Sequence, residues 1–278
     1  MAAEYDPVAV TSYFDGFAER EWERLEKDVE AEVNLAVHAH YLRRHIEPGW
    51  RVLEVGAGAG RFTIELARLG ARVVATDVSR VQLELNEEKV RAAGAEGSVE
   101  ARSVLDVVDM SSLPDASFDA VVCYGGPLSY VMDRRDDAVA ECVRVARPGS
   151  PLLFSVMSLW GSVHRGLTFV LGVPRAANEA IIASGDITAE ALPGHTHQCH
   201  AFRGREFRAL LEGGGLRILE MSAATCLTTG WSARLGEVRA NPERWAELLD
   251  MEIAACAEPG CVETGPHIIA VCEKPVGR

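Results

Sequence analysis

Apolar residues along the chain form short runs that alternate with longer stretches in which apolar positions recur every three or four residues. A short apolar run is typical of a buried strand, and the longer pattern is typical of an amphipathic helix. Strands are predicted at residues 51–56, 72–76, 98–103, 118–123, 151–157, 216–222 and 268–272. Helices are predicted at residues 60–69, 79–93, 134–146 and 204–213. Because strands and helices alternate, the pattern predicts an α/β fold with a parallel sheet covered by helices.

Three segments lie outside this alternation, and we expect them to form lids over the sheet. They are an N-terminal helical cap at residues 1–45 and insertions at residues 158–203 and 224–264. Regular patterning is weak in the first insertion, whereas Asn241 and Pro242 in the second mark the start of a helix that reaches about residue 257. No Ser/Gly-rich or Pro-rich linker divides the chain, so residues 1–278 are predicted to form one domain around a core at 46–157.

A glycine turn follows the first predicted strand. Gly56, Gly58 and Gly60 stand at alternate positions and lead directly into a helix. Glycines let the backbone turn sharply and approach a ligand closely, and the start of a helix presents unpaired N–H groups. Such a turn is typical of cofactor binding. It also opens the dinucleotide-binding fold, in which Asp77 at the end of the second strand would hold a ribose.

Charged residues around the turn favour a sulfonium cofactor over a dinucleotide. Arg61 stands where the dinucleotide fingerprint has a small residue for helix packing. Glu54 precedes the turn, where a negative charge would repel a pyrophosphate but suit an ammonium or sulfonium group. Asp106 follows the third strand and supplies a further acid. Three acids and a glycine turn at the ends of successive strands can hold the amino-acid end, the ribose and the adenine of S-adenosylmethionine.

From about residue 41 to residue 158, and again near residue 202, the chain resembles the class I S-adenosylmethionine-dependent methyltransferases. The resemblance is carried by the glycine turn with its acids, by the run from Phe118 to Tyr124, and by the Arg-Pro-Gly-Ser turn that begins at Arg147. It implies a Rossmann-like, seven-stranded, mostly parallel, doubly wound sheet whose last strand is antiparallel, with helical lid insertions.

The resemblance also implies which residues bind the cofactor. Glu54 and the glycine turn would hold its methionine end, Asp77 would bind the ribose hydroxyls, and Asp106 would accept a hydrogen bond from the adenine amino group. Tyr13 or Phe14 would close over the cofactor; the alternative is a helix that only packs through its aromatic residues. The cofactor-binding residues assigned in this way are Glu54, Gly56, Ala57, Gly58, Gly60, Asp77, Val78, Leu105, Asp106 and Tyr13.

Composition and charge indicate which partners the protein is expected to bind and where in the cell it is expected to be. The formal net charge is −13, and no Lys/Arg cluster is dense enough to neutralise a phosphate backbone, so we expect no nucleic-acid partner. The N-terminus has no basic region before an apolar run and no stretch is long and apolar enough to cross a bilayer, so we expect a cytoplasmic protein without membrane association. The seven cysteines stand at scattered spacings, which favours reduced thiols over disulfides.

Polar chemistry concentrates in the run His195-Thr196-His197-Gln198-Cys199-His200. Imidazoles and a thiol at this spacing can bind zinc, but no second cluster supplies the remaining ligands, and we assign no metal site. A solvated loop is the structural alternative. The hypothesis we retain is that His197 or His200 removes a proton from the methyl acceptor while His195 contacts that acceptor, because an imidazole titrates near neutral pH.

The loop after the fourth strand, residues 124–130, leaves the sheet at the edge where a ligand binds in this kind of fold. Tyr124 is therefore assigned to catalysis and Tyr130 to the acceptor pocket; the alternative is a turn with buried aromatic residues. Trp245, on the helix of the second insertion, would roof the pocket unless that helix only covers the edge of the sheet. The loop lacks the Asn/Asp-Pro-Pro-Tyr/Phe signature of amide and nucleobase N-methyltransferases.

These features together predict an enzyme that uses S-adenosylmethionine to methylate an oxygen or a nitrogen of a small organic molecule, of the kind found in specialised metabolism. Two alternatives stay open at this point. One is an S-adenosylmethionine-binding protein with non-methylating chemistry, such as a cyclase or a sensor. The other is an NAD-dependent oxidoreductase, which Glu54 and Arg61 oppose.

Overall fold

A seven-stranded sheet lies at the centre of the protein. The computed structural model describes residues 3–192 and 197–276. The strands of the sheet are β1 (Arg51–Val55), β2 (Arg72–Asp77), β3 (Val99–Val104), β4 (Ala120–Cys123), β5 (Pro151–Met157), β8 (Arg217–Ala223) and β9 (His267–Glu273). Two shorter strands, β6 (Asp186–Ile187) and β7 (Cys199–His200), pair with each other outside this sheet.

The order of the strands across the sheet is β3-β2-β1-β4-β5-β9-β8. Strand β9 is antiparallel to both of its neighbours, β5 and β8, and the other neighbouring pairs are parallel. This topology confirms the predicted sheet, including its antiparallel last strand. Each predicted strand also begins and ends within two residues of the observed one, because buried parallel strands are nearly continuous apolar runs.

Helices surround the sheet and precede its first strand. They are α1 (Pro7–Phe17), α2 (Arg20–Glu26), α3 (Val29–His45), α4 (Arg61–Arg68), α5 (Arg80–Ala92), α6 (Pro127–Tyr130), α7 (Arg135–Val145), α8 (Leu159–Arg165), α9 (Leu167–Gly172), α10 (Arg175–Ser184), α11 (Gly204–Gly213), α12 (Gly236–Arg239) and α13 (Pro242–Ala257). Within the described residues, no helix combines the length and the apolar character that crossing a membrane requires.

Two apolar layers hold the helices against opposite faces of the sheet. Helices α3, α4 and α13 contribute Val37, Leu66 and Cys256 to one layer. Helices α7 and α11 contribute side chains such as Val139 and Phe207 to the other. Strand β4, which lies in the middle of the sheet, is buried along its whole length because both of its faces are covered.

The segments between the sheet strands contain more regular structure than the sequence pattern indicated. Residues 158–203, where little regularity was expected, hold helices α8, α9 and α10 and the β6–β7 pair. These helices have six to ten residues, too few for a clear periodic signal, and α8 begins at a local cap in which the Ser158 hydroxyl accepts from the Gly161 N–H. The predicted start of α13 is confirmed, since the Asn241 side chain accepts from the N–H groups of Glu243 and Arg244.

Helix α8 is packed closely against the chain that enters β9, and we expect Gly161→Ala to disturb this packing. A Cβ atom at Gly161 would lie 1.6 Å from the carbonyl oxygen of Gly265, so one of the two backbones must shift. Such overpacking typically destabilises a protein by about 1–3 kcal/mol. Urea unfolding should show this loss. Gly172→Ala in α9, where a Cβ would meet nothing within 4 Å, is the matched control; equal midpoints for the two variants would contradict this account of the packing.

Candidate cofactor and acceptor site

A cavity lies at the carboxyl ends of β1, β2 and β4 and extends beside the segment that follows β3. Its volume is about 990 Å³, counting the part that opens to solvent. In parallel α/β sheets, ligands bind at this edge. The predicted cofactor residues that line the cavity are Gly56, Ala57, Gly58, Asp77, Val78, Leu105 and Asp106.

The glycine turn shapes the floor of this cavity. Gly56, Gly58 and Gly60 all have positive φ angles, of 68°, 50° and 97°, which side chains with a Cβ rarely adopt. A Cβ at Gly56 would lie 2.4 Å from the Cγ of Pro127, whereas a Cβ at Gly58 would meet little besides the Gln82 Oε1 at 4.0 Å. Gly56 is therefore required by packing, and Gly58 leaves its backbone open to a ligand.

Asp77 joins the glycine turn to the end of β2. One carboxylate oxygen accepts from the Gly58 N–H at 2.9 Å, and the other accepts from the Ser79 N–H at 2.8 Å. Burial raises the pKa of Asp77 to about 6, although these two N–H donors favour the ionised form. The carboxylate lines the cavity, where ribose hydroxyls can donate to its remaining lone pairs.

Glu54 and Gly60 are not among the residues that line the cavity. The Glu54 carboxylate is buried and accepts from the Thr63 hydroxyl at 2.6 Å. Burial raises the pKa of Glu54 to about 8. A Cβ at Gly60 would lie 3.1 Å from the side chains of Asn86 and Val90, so this glycine permits the packing of α4 on α5. The structure thus places Glu54 beneath the turn, which differs from the expected contact with the amino-acid end of the cofactor.

Asp106 lies at the far end of the cavity together with a residue that the sequence did not indicate. The Tyr5 hydroxyl donates to Asp106 Oδ2 at 2.8 Å, and the Val108 N–H donates to Oδ1 at 3.1 Å. The Tyr5 N–H also donates to Asp133 at 2.8 Å. These bonds fix the Asp106 carboxylate and bring the N-terminal segment over the cavity. No local pattern marks Tyr5, because its partner is 101 residues away in the chain.

Helix α1 covers the cavity with Phe14, whereas Tyr13 faces the neighbouring space. The Ser79 hydroxyl donates to Asp15 at 2.5 Å, and the Gln82 amide donates to the Phe14 carbonyl at 3.1 Å, so α5 holds α1 in place. The Tyr13 ring stacks on the His197 ring with centroids 4.1 Å apart. Of the two aromatic residues that the sequence suggested for the cover, Phe14 contacts the cofactor cavity.

A second cavity adjoins the first and has a volume of about 1340 Å³, again counting its open part. Phe14, Gly125, Tyr130 and His267 line both cavities and therefore mark their junction. Tyr130 therefore lies between the two cavities, and its assignment to the acceptor pocket stays a prediction. Tyr124 lines only the first cavity, and its ring meets the His38 ring edge to face at 4.8 Å.

The two described histidines of the run 195–200, His197 and His200, line neither of these cavities. His200 is 2% exposed, and its two ring nitrogens bond to Asp186 at 2.6 Å and to Glu206 at 2.7 Å. Both nitrogens are therefore engaged, which does not fit the expected role as a base. The His197 ring stacks on the Tyr13 ring, and its centroid lies 5.8 Å from that of the Tyr130 ring. His195 lies outside the described residues.

Trp245 lies on α13, among the apolar residues that cover one face of the sheet. The Arg239 guanidinium lies 5.2 Å from its ring centroid. Trp245 is not among the residues that line either cavity. The structure therefore agrees with the alternative considered for this helix, which is that it covers the sheet instead of roofing the pocket.

Buried polar atoms around the first cavity fit a polar ligand. His38 Nδ1 donates to the Asn34 carbonyl at 2.8 Å, because a carbonyl oxygen can only accept, and its Nε2 therefore carries a lone pair. In the described part of the chain, His38 Nε2, the Tyr124 hydroxyl and Gln82 Oε1 are buried without a hydrogen-bond partner. Such atoms are rare in folded proteins, and a ligand with amino and hydroxyl groups would satisfy them. With Asp77 and Asp106, they make the cavity suitable for S-adenosylmethionine.

Comparison with known proteins agrees with this geometry. A family described as "Methyltransferase domain" matches residues 52–149. The chain is 30% identical to "Ubiquinone biosynthesis O-methyltransferase" of Hahella chejuensis, over 76% of this chain and 82% of that one. It is 35% identical to "Methyltransferase GfsG" of Streptomyces halstedii, over 47% of this chain and 46% of that one.

The fold is also similar to that of the [4+2]-cyclase SpnF, with a TM-score of 0.55, 22% identity and coverage of 87% of this chain and 81% of that chain. At this identity the likeness concerns the fold alone. Fold, site and relatives define a Rossmann-like methyltransferase. The chain belongs to the class I S-adenosylmethionine-dependent methyltransferases, and its cofactor is S-adenosylmethionine. Membership in this family argues against the alternative function of an NAD-dependent oxidoreductase.

We expect the affinity for S-adenosylhomocysteine to rise as the pH rises from 5 to 7. Because the pKa of Asp77 is raised to about 6, its carboxyl group is mostly protonated at pH 5 and mostly ionised at pH 7. Ribose hydroxyls donate more strongly to the ionised form. One pH unit below this pKa, about a tenth of the groups are ionised, so the expected change is about tenfold. Isothermal titration calorimetry across this range measures it.

Asp77→Asn should bind S-adenosylhomocysteine more weakly at pH 7 and should lose this pH dependence. Asp250→Asn, on the exposed face of α13, is the control and should behave like the natural protein. An unchanged pH dependence in Asp77→Asn would contradict the role given to this carboxylate.

Proposed function

We propose that this methyltransferase acts on an oxygen or a nitrogen of a small organic molecule, of the kind that specialised metabolism supplies. The observation that carries the proposal is the second cavity, which meets the cofactor cavity at Gly125, Tyr130 and His267. An acceptor in the second cavity would present its reacting atom at this junction. Methyl transfer requires that the two reactants meet at such a shared boundary.

The lining of the second cavity supports an acceptor that combines an apolar body with polar groups. Its apolar lining residues are Tyr13, Phe14, Phe17, Tyr130 and Met157. The lining also contains two ion pairs: Arg24 lies 2.5 Å from Glu21, and Arg165 lies 2.8 Å from Glu30. Aromatic surface with a few placed polar groups is typical of small-molecule pockets. This lining differs from the long basic groove that typically binds nucleic acid.

The residues of this chain would act mainly by positioning and by excluding water. S-adenosylmethionine, when bound, supplies a methyl group that its sulfonium already activates. Asp77 and Asp106 would hold its ribose and adenine, and Phe14 would cover it. Tyr130 would hold the acceptor against the junction. Orientation of this kind supplies a large part of a methyltransferase's rate, because little bond chemistry is left to the protein.

Product analysis tests the proposal. The protein would be incubated with S-adenosylmethionine and with a panel of hydroxylated and amino-substituted aromatic compounds, and the products would be separated by liquid chromatography with mass spectrometry. We expect S-adenosylhomocysteine together with an acceptor that is heavier by one methyl group. The expectation follows from the junction of the two cavities, which brings acceptor and methyl donor into contact.

The same experiment separates this function from the non-methylating alternative. Released methylthioadenosine, or a substrate that is rearranged without a gain in mass, would indicate cyclase-like chemistry and would contradict methyl transfer. Asp77→Asn should reduce product formation, whereas Asp250→Asn should leave it unchanged, which ties the activity to the described cavity.

A further inference from the structure

We infer that His267 is the residue that receives the acceptor: its imidazole accepts a hydrogen bond from the acceptor's O–H group and takes the proton when that oxygen is methylated. The inference rests on the proposed function, because it assigns a role within the second cavity. It also names the class of acceptor, which is a hydroxyl compound. No local pattern marks this histidine, since it stands at the start of an apolar strand.

His267 occupies the boundary where an acceptor and the cofactor would meet. It is the first residue of β9 and pairs with Met157 at the end of β5, so the sheet fixes its backbone at the ligand edge. It lines both cavities. Gly265 and Pro266 precede it, and the Pro266 carbonyl accepts from the Ser158 N–H at 2.9 Å, which holds the entry to the strand.

Other groups that line both cavities are less suited to take a proton. Both carboxylate oxygens of Glu21 already accept hydrogen bonds from Arg24, at 2.5 Å and 3.1 Å. Tyr130 is a phenol whose pKa is raised by burial, so it remains protonated. His267 has no such engagement: its Nδ1 is buried and has no hydrogen-bond partner in the part of the chain that the structure describes. A buried nitrogen without a partner destabilises a fold unless a ligand satisfies it.

The surroundings of His267 keep its ring neutral. Burial lowers the pKa of His267 to about 3, and the nearby His38 imidazole and the Arg24 and Arg165 guanidinium groups lower it further. The His38 ring, whose own pKa burial lowers to about 4, lies edge to face with the His267 ring at 6.2 Å between centroids. The acids that line the second cavity are Glu21, Asp28 and Glu30, and Glu30 lies 2.8 Å from Arg165. A neutral imidazole always has one nitrogen lone pair available to an O–H donor.

A base this weak is sufficient for the step. As the acceptor's oxygen forms its bond to the methyl carbon, the carbon–sulfur bond of the donor breaks and its electron pair stays on sulfur. As that bond forms, positive charge develops on the oxygen, and its O–H group becomes a far stronger acid than that of the free acceptor, so a weak base can take the proton within the same step. The O–H electron pair returns to oxygen, the proton passes to the imidazole of His267, and it leaves to solvent through the open side of the second cavity.

Binding of phenol and toluene to the protein saturated with S-adenosylhomocysteine tests the contact without requiring turnover. The two probes have nearly the same shape, and only phenol carries an O–H donor. We expect phenol to bind about tenfold more tightly than toluene, as one hydrogen bond to a buried acceptor allows. In His267→Phe, which keeps a ring at this position, phenol should lose that advantage while toluene affinity changes by less than about twofold.

His164→Phe, an exposed position on α8 that lines neither cavity, is the matched control and should leave both affinities unchanged. Equal losses for phenol and toluene in His267→Phe, or no preference for phenol in the natural protein, would overturn the contact. Affinity for S-adenosylhomocysteine, measured in the same titrations, reports separately on the cofactor site.

Methylation of phenol and thiophenol tests the proton transfer. Thiophenol is largely a thiolate at pH 8, so it needs no base, whereas phenol arrives protonated. We expect His267→Phe to lower the rate with phenol by at least about 100-fold, the scale of general-base catalysis, and to change the rate with thiophenol by less than about threefold. Similar losses with both probes, or methylation of thiophenol but not phenol by the natural protein, would overturn the role as base. Failure to methylate either probe would count against the proposed function as well.

Discussion

The carboxylate of Asp77 is the constraint on which the rest of the site depends. By accepting from the Gly58 and Ser79 N–H groups, it ties the turn after β1 to the start of α5. Helix α5 in turn anchors α1 through Ser79 and Gln82, so the cover of the cofactor cavity is built on the same connection as its floor. One buried acid thus connects the glycine turn to α5 and, through that helix, to Phe14. Burial raises the pKa of this carboxylate to about 6, although the two N–H groups from which it accepts favour its ionised form.

The sheet, and most of the residues that line the cavity at its ligand edge, were predictable from sequence because their signals are local. Buried strands are apolar runs, and positive-φ turns require glycine at particular positions. Asp77 and Asp106 each follow a strand directly, and parallel strands bring such positions to one edge. The same reasoning could not tell that Glu54 lies beneath the turn, because a residue before the glycines can face either side of the strand. In the structure its bond to Thr63 settles which side it occupies.

The acceptor side was less predictable because it is assembled from segments that are distant in sequence. Tyr5 meets Asp106 across 101 residues, and His200 is engaged by Asp186 across a two-residue strand pair that no periodicity marks. The density of polar residues favoured the run 195–200 as part of the acceptor site. The histidine that lines both cavities is instead His267, which stands in an apolar strand. What distinguishes it is the combination of two cavities and a buried nitrogen without a partner in the described residues. Neither feature can be recognised from the sequence, because each is formed by segments that come together only in the folded protein.

A crystal structure with S-adenosylhomocysteine bound would show whether the cofactor lies in the first cavity with its sulfur toward the second. We expect ribose hydroxyls within hydrogen-bond distance of Asp77, the adenine amino group beside Asp106, and the sulfur at the junction formed by Gly125, Tyr130 and His267. A cofactor whose sulfur pointed away from that junction, or whose ribose lay beyond the reach of Asp77, would contradict this expectation.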